Sequence, residues 1–287
     1  MPTRIHFINV GQGNMTLIEL DNGQKFLYDC NLTQENQSEV LNHIAKQIGW
    51  GTKINIFCCS HRDADHMRGV KLLHKYFPIQ RVWDSGVTGT TPSSTEYTEY
   101  MELRRQVGVI EVKQKNFATF GHTELLIMNG KNDALADNAN AQSIVIKVVH
   151  RNKFGEKQAS VLLTGDTDAK TWEHIHRVYQ KSDLSCSLLL ASHHGSLTYF
   201  QTSDNNPLYT AHLTAKSPEM TIISVGNNAH GHPHKTALEH YTKFSTGSKQ
   251  GNKVFRTDQQ GHMSAVLHDT GGWELTQQHL KKEGAFN

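Results

Sequence analysis

The apolar run Ile54-Asn55-Ile56-Phe57-Cys58-Cys59 stops at Ser60-His61-Arg62-Asp63-Ala64-Asp65-His66, and no other junction in the chain restricts its folding as much. The run reads as a buried strand. Beyond it, Met67, Val70, Leu73 and Phe77 share one face of a helix that ends before Pro78. Four of the six residues from His61 to His66 can bind a metal. A strand end fixes the first of them and a helix start orients the last. A polar loop whose Asp65 caps the helix is the plain alternative. Capping alone does not call for so dense a cluster.

Three other apolar runs end in the same residue types. Leu162-Leu163-Thr164 is followed by Gly165-Asp166, where glycine permits a sharp turn that aims the carboxylate inward. Asp166 also reads as a turn residue or a cap for a helix over 169–180, with Thr167 and Asp168 competing for the cap. The run 187–191 ends in Ser192-His193-His194-Gly195-Ser196, where one imidazole suits a metal and the other a hydrogen bond or a proton. The run 220–225 leads to Gly231-His232-Pro233-His234, a turn stiffened by proline that holds both rings. A histidine-rich surface turn is an equal reading there.

Histidine is the unusual total, 19 of 287 residues, and its clusters sit at strand ends. The scattered His43, His74, His122 and His279 read as solvated or satisfied groups. Hydrophobic residues make up 37% and charged residues 20%, an ordinary globular composition. A net charge of +2 is too mild to imply nucleic-acid binding by itself. The four cysteines, Cys30, Cys58, Cys59 and Cys186, form no CxxC pair and read as buried free thiols; Cys58 and Cys59 should face opposite sides of their strand. No apolar run is long enough to cross a bilayer, and the N-terminus enters a strand pattern without signal-peptide architecture. Cytoplasmic residence is the default expectation.

Strands are expected over 4–10, 15–20 and 24–29, the first two joined as a hairpin through Gly11-Gln12-Gly13. A helix follows with Val40, Leu41, Ile44 and Ile48 on one face, stopping at Gly49. Residues 85–96 form a Gly/Ser/Thr-rich loop, and a helix carrying Tyr97, Tyr100, Leu103 and Val107 comes next. Tyr97 and Tyr100 are candidates for substrate contact, although core packing is the stronger reading. Strands and helices then alternate to the C-terminus. Two sheets with helices on their outer faces would bury this material, and no linker divides it, so one domain over 1–287 is expected. A dinucleotide fingerprint fails because Gly11-Gln12-Gly13 leads into no helix, and neither a P-loop nor a Gly-x-Ser-x-Gly elbow occurs.

Taken in order, His61-x-Asp63-x-Asp65-His66, Gly165-Asp166 and His193-His194-Gly195-Ser196 resemble the metallo-β-lactamase superfamily, with Asp63 where its HxHxDH motif has the second His. Together with Val10-Gly11-Gln12-Gly13 and Gly231-His232-Pro233-His234, the pattern is similar to the branch typified by the soluble metallo-hydrolase domain of the DNA-uptake protein ComEC. The resemblance covers nearly the whole chain. It implies an α/β fold, an αββα four-layer sandwich of two mixed sheets with outer helices and a metal site at one edge. It further implies that His61 and Asp63 bind a first metal, that Asp65 and His66 bind a second, and that Asp166 bridges. His194, preferred to His193, would complete the second site, and Asp29 would support it from behind. Catalytic roles would fall to Asp65, His193, His232 and His234.

Three departures bear on this. Asn14 stands where the branch has Asp, Asn31 stands where it has Gly, and the middle His ligand is replaced by the region 137–143, whose Asn140 and Ser143 offer oxygens to the first metal. One or two Zn²⁺ ions are expected, and an oxygen-rich site would tolerate Mn²⁺. The expected activity is metal-dependent hydrolysis, first of a phosphodiester such as nucleic acid and otherwise of a small ester, lactone or phosphoester. A regulatory binding module with a partly degenerate site is the remaining reading. No membrane role is expected, and nothing points to a protein partner or an oligomeric state.

Overall fold

The computed structural model describes residues 1–135, 138–201, 207–247, 251 and 254–278. Asp137, residues 202–206 and His279, named above or within segments named above, lie outside them. The described residues form two mixed sheets. The first has eight strands in the spatial order Trp273–Gln277, Met263–Leu267, Thr3–Phe7, Thr16–Glu19, Lys25–Tyr28, Ile56–Cys58, Val82–Asp84 and Val109–Glu111. The second has seven, in the order Val254–Arg256, Met220–Ile223, Leu188–Leu190, Lys157–Leu163, Val145–Arg151, Thr123–Asn129 and Phe117–Phe120.

Period-two alternation sends one face of each sheet to a shared core and the other to helices. Ile5, Phe26, Tyr28 and Cys58 of the first sheet meet Ile127, Ile146, Val161 and Leu188 of the second. Leu17, Leu27 and Phe57 face outward onto Val40 and Ile44 of helix Gln37–Ile48 and onto Leu73 and Tyr100. Leu162, Leu189 and Ile223 face outward onto Trp172 and Ile175 of helix Ala169–Val178 and onto Tyr241 of helix Lys235–Phe244. This is the αββα layering of a metallo-β-lactamase sandwich. Full burial of each large apolar side chain is worth roughly 1.5–3 kcal/mol. Cys58 and Cys59 point into different cores, and all four cysteines are buried and free.

Each sheet is half parallel, and that half places the site. Lys25–Tyr28, Ile56–Cys58 and Val82–Asp84 run parallel, as do Lys157–Leu163, Leu188–Leu190 and Met220–Ile223. Their carboxyl ends lie on one edge of the sandwich, where ligands of open α/β sheets bind. His61, Asp166, His193 and His232 all follow those ends.

The helix expected to run unbroken to Pro78 is divided. Helix Ala64–Met67 ends at Arg68, which is extended, and Gly69 starts Val70–Tyr76 from a left-handed conformation (φ 71°). A Cβ on Gly69 would lie 2.5 Å from Leu32 Cβ. The break pays for itself in pairing: Met67 and Arg68 bridge Cys30 and Asn31, and Arg68 O accepts from Leu32 N at 3.0 Å. The segment after His66 is thereby tied to the segment after Asp29. Among the described residues, no helix is long and apolar enough to cross a membrane.

Candidate metal centre

Three of the four strand-end junctions meet in one cluster, and the fourth sets His232 beside His193. Asp65, His66, Asp166 and His194 each place one ligand atom within 4.8 Å of the others. His66 Nε2 lies 3.2 Å from Asp166 Oδ1 and 3.7 Å from Asp65 Oδ2. His194 Nε2 lies 3.2 Å from Asp65 Oδ2 and 3.7 Å from Asp166 Oδ2. His61 Nε2 stands on the other side, 3.7 Å from Asp63 Oδ2 and 3.8 Å from Asp166 Oδ2. The His61 and His66 rings are 4.0 Å apart.

The far nitrogens of these rings decide their chemistry. His66 Nδ1 is 2.8 Å from Asp29 Oδ2, which can only accept, so Nδ1 carries the proton. Ser60 Oγ donates to the same Asp29 oxygen and must accept from His61 Nδ1 at 3.0 Å. His194 Nδ1 donates to Ser224 O at 2.9 Å. All three neutral rings therefore turn an Nε2 lone pair toward carboxylate oxygens. Two sets of lone pairs at such range repel unless a cation lies between them or each ring takes a second proton. His61 Nε2, His66 Nε2, His194 Nε2 and Asp166 Oδ1 are buried and without hydrogen-bond partners. Buried polar atoms are rarely left so, and their gathering around Asp166 fits divalent cation binding.

The electrostatics agree. Burial disfavours charge on His66, but Asp166, Asp29 and Asp65 outweigh it and hold its proton affinity well above the imidazole norm. His194 is likewise raised against burial, chiefly by Asp166 and Asp65. Burial would raise Asp166, yet His66, His193 and His194 bring it well below the carboxylate norm; Asp65 is lowered chiefly by His66 and His194. His61 is lowered by burial and by His66. The cluster is thus built around positive charge, which protons or a metal can supply.

Backbone geometry serves the same centre. Gly165 (φ 54°) turns the chain where a Cβ would crowd Ser143 Cβ at 2.9 Å, and Asp166 N donates to Ser143 Oγ at 3.2 Å. Asp168, not Asp166, caps helix Ala169–Val178 by accepting from Thr171 N. His193 and His194 both have positive φ, 49° and 53°. That conformation costs non-glycine residues about 1–2 kcal/mol each. Asp29 is also left-handed (φ 61°) and fully buried, and Ser60 N donates to its Oδ1 at 2.6 Å.

Replacing Asp29 by asparagine is expected to lower metal affinity about 10–100-fold, the usual effect of removing a partner that orients a ligand. Competition with a chromophoric chelator measures it; unchanged affinity would show that Asp29 does not orient His66.

Of the other expected residues, Asp63 is strapped by the 85–96 loop: its Oδ1 accepts from Thr90 N at 2.7 Å and Thr90 Oγ1 at 3.0 Å. His193 Nε2 is 3.6 Å from Asp166 Oδ2. His232 meets His193 edge to face, with ring centroids 5.5 Å apart; burial, then His193 and His194, lower its pKa to about 4, so it is uncharged at neutral pH. His234, the second histidine of that turn, caps helix Lys235–Phe244, its Nδ1 accepting from Thr236 N. Tyr100 is core, fully buried with its hydroxyl on Asp84 at 2.7 Å. Asn14 is buried with both amide atoms unpartnered, and its N–H reaches Asp65 O at 3.2 Å. Asn31 ties Gln12 O to Arg68. Asn140 Oδ1 is buried without a partner.

The anchors Ser60, Thr90 and Ser224 had no signal of their own in the sequence, since hydroxyls and carbonyls are everywhere and only the fold selects these. A cleft of about 520 Å³ is lined by Gly86, Val87 and Thr88 of the 85–96 loop together with Lys131, Asp133, Leu135 and Gln142. Thr90 of the same loop holds Asp63, and Ser143, next to Gln142 in sequence, holds Asp166.

No protein-family model matches the chain, and no curated protein matches its sequence. Solved structures match its fold. CmlA, a diiron β-hydroxylase from Streptomyces venezuelae, is 14% identical with a TM-score of 0.54 over 91% of this chain and 53% of CmlA. YhfI from Bacillus subtilis, a metallo-β-lactamase fold protein, is 10% identical with a TM-score of 0.53 over 91% of this chain and 99% of YhfI. The chain thus spans about half the length of CmlA. At these identities the likeness concerns the fold.

Proposed function

We propose that this chain is a metal-dependent hydrolase of the ComEC-like kind, acting on phosphodiester bonds, nucleic acid first among them. The observation that carries the metal is the convergence of His61, His66 and His194, each with Nδ1 anchored and Nε2 unpartnered, on Asp65 and Asp166. Asp65, His66, Asp166 and His194 would hold one ion; His61 and Asp63 would begin a second, with Asp166 shared. An all-oxygen-and-nitrogen donor set suits Zn²⁺, Mn²⁺ or iron, and CmlA is diiron on this fold. A bound divalent ion would supply Lewis acidity, acidifying water and offsetting negative charge on the substrate.

The chain's own residues would do the rest. Asp29 and Ser60 hold His61 and His66 in their ligand tautomers. Neutral His232 offers an N–H to an anionic oxygen rather than a proton to a leaving group, since its pKa lies near 4. Lys131, in the cleft lined by the loop that holds Asp63, would offer a cation to a neighbouring phosphate of a nucleic-acid strand.

Purified protein assayed on single- and double-stranded nucleic acid and on a chromogenic phosphodiester, with Zn²⁺ or Mn²⁺, tests this. Cleavage should require the ion, stop with chelator, and fall at least about 100-fold in Asp65→Ala and His66→Ala, no less than the loss of one positioned donor costs. Wild-type cleavage in either variant would sink the reading. Hydrolysis confined to lactones or thioesters would keep the metal and replace the substrate.

A further inference from the structure

We propose that the adjacent His193 and His194 serve different ions: His194 belongs to the Asp65–His66–Asp166 set, whereas His193 supplies the missing donor for the ion begun by His61 and Asp63. This rests on the metal-dependent reading above. Both rings face Asp166, and so one ion shared by both is the alternative to be excluded.

The tautomer of His193 follows from a chain of hydroxyls. Thr198 Oγ1 donates its proton to Ser196 Oγ at 3.0 Å. It must therefore accept from His193 Nδ1 at 3.2 Å, which leaves a lone pair on Nε2. That lone pair looks at Asp166 Oδ2 from 3.6 Å, the same oxygen that His61 Nε2 faces from 3.8 Å. A cation beside that oxygen relieves both repulsions.

The backbone explains how neighbours in sequence reach different ions. Two successive left-handed residues splay the rings to 6.2 Å between centroids at 76°. His194 is buried and belongs to the four-residue group, while the His193 imidazole is 24% exposed and outside it. The splay has a stated energetic cost, and a ligand for each ion is a return on it.

Two oxygen donors were expected for this ion. Ser143 Oγ is engaged by the Asp166 backbone N–H. Asn140 Oδ1 is buried and unpartnered, so it is the competing donor.

Metal content decides between them. The full-length protein, its His193→Asn, Asp63→Asn and Asn140→Ala variants and the His193/Asp63 double variant would be exchanged into buffer with micromolar Mn²⁺ or Zn²⁺, freed of loose metal and measured by mass spectrometry. Asparagine is chosen at 193 because it tolerates the left-handed backbone. Expected are about two ions per chain in the wild type and in Asn140→Ala, and about one in His193→Asn, Asp63→Asn and their double variant. The Co²⁺-substituted protein should lose one set of visible bands in the same variants. Two ions retained in His193→Asn, or one lost in Asn140→Ala, overturns the assignment. A single ion in the wild type also overturns it, yet leaves a one-metal hydrolase standing. No ion in any form overturns both readings together.

Discussion

Asp166→Ala should release tightly held divalent metal and lower metal-dependent hydrolysis by at least about a thousand-fold, beyond the ~10–100-fold that follows loss of an outer partner. No other carboxylate in the cluster faces so many rings. Its Oδ1 meets His66, and its Oδ2 meets His61, His193 and His194, all between 3.2 and 3.8 Å. Alanine leaves these imidazoles around a gap with no shared anion. The protein should still fold, because Gly165 makes the turn and Asp168 caps the next helix. Metal content after dialysis, rate with saturating metal and a thermal melt separate the effects. Wild-type metal content in Asp166→Ala would remove it from the ligand set. Loss of metal together with loss of the cooperative melt would show that metal binding and folding are one equilibrium.

The second large effect concerns stability. Asp84→Ala should cost about 3–5 kcal/mol, because it strips a buried charge of its partner. Asp84 Oδ2 accepts from Arg62 Nη2 at 2.8 Å, Tyr100 Oη at 2.7 Å and Arg104 Nε at 2.9 Å, and Oδ1 accepts from Gly86 N at 3.0 Å. Arg104 also pairs with Glu111 and can turn to it. Arg62 is only 4% exposed, held between His61 and Asp63, and would be left buried beside Tyr100. Chemical denaturation measures the loss. The double change Arg62→Met with Asp84→Leu should recover part of it, since a hydrophobic replacement of a buried pair is often neutral. A loss below about 0.5 kcal/mol in Asp84→Ala would mean that water reaches Arg62 after all. Metal affinity should also fall, because Arg62 fixes the backbone between two proposed ligands.

The fold was largely legible in advance. Alternating apolar residues marked the strands, and the same alternation sent Cys58 and Cys59 into different cores. What escaped was the break at Arg68 and Gly69. Local periodicity favoured one helix, and a bridge to Cys30 and Asn31, far away in sequence, overrode it. Nor did the sequence signal that His234 Nδ1 caps a helix, because the acceptor role depends on where helix Lys235–Phe244 starts.

The sequence by itself determined which groups stand at the strand ends, because a side chain that follows a buried strand has its place set locally. Tertiary structure alone decided what those groups can do. Whether an imidazole offers a lone pair or a proton depends on its far nitrogen, and those partners (Asp29, Ser60, Thr198 and the Ser224 carbonyl) come from separate segments. Which of two adjacent histidines joins the four-residue group likewise depended on backbone dihedrals that only the packed turn imposes.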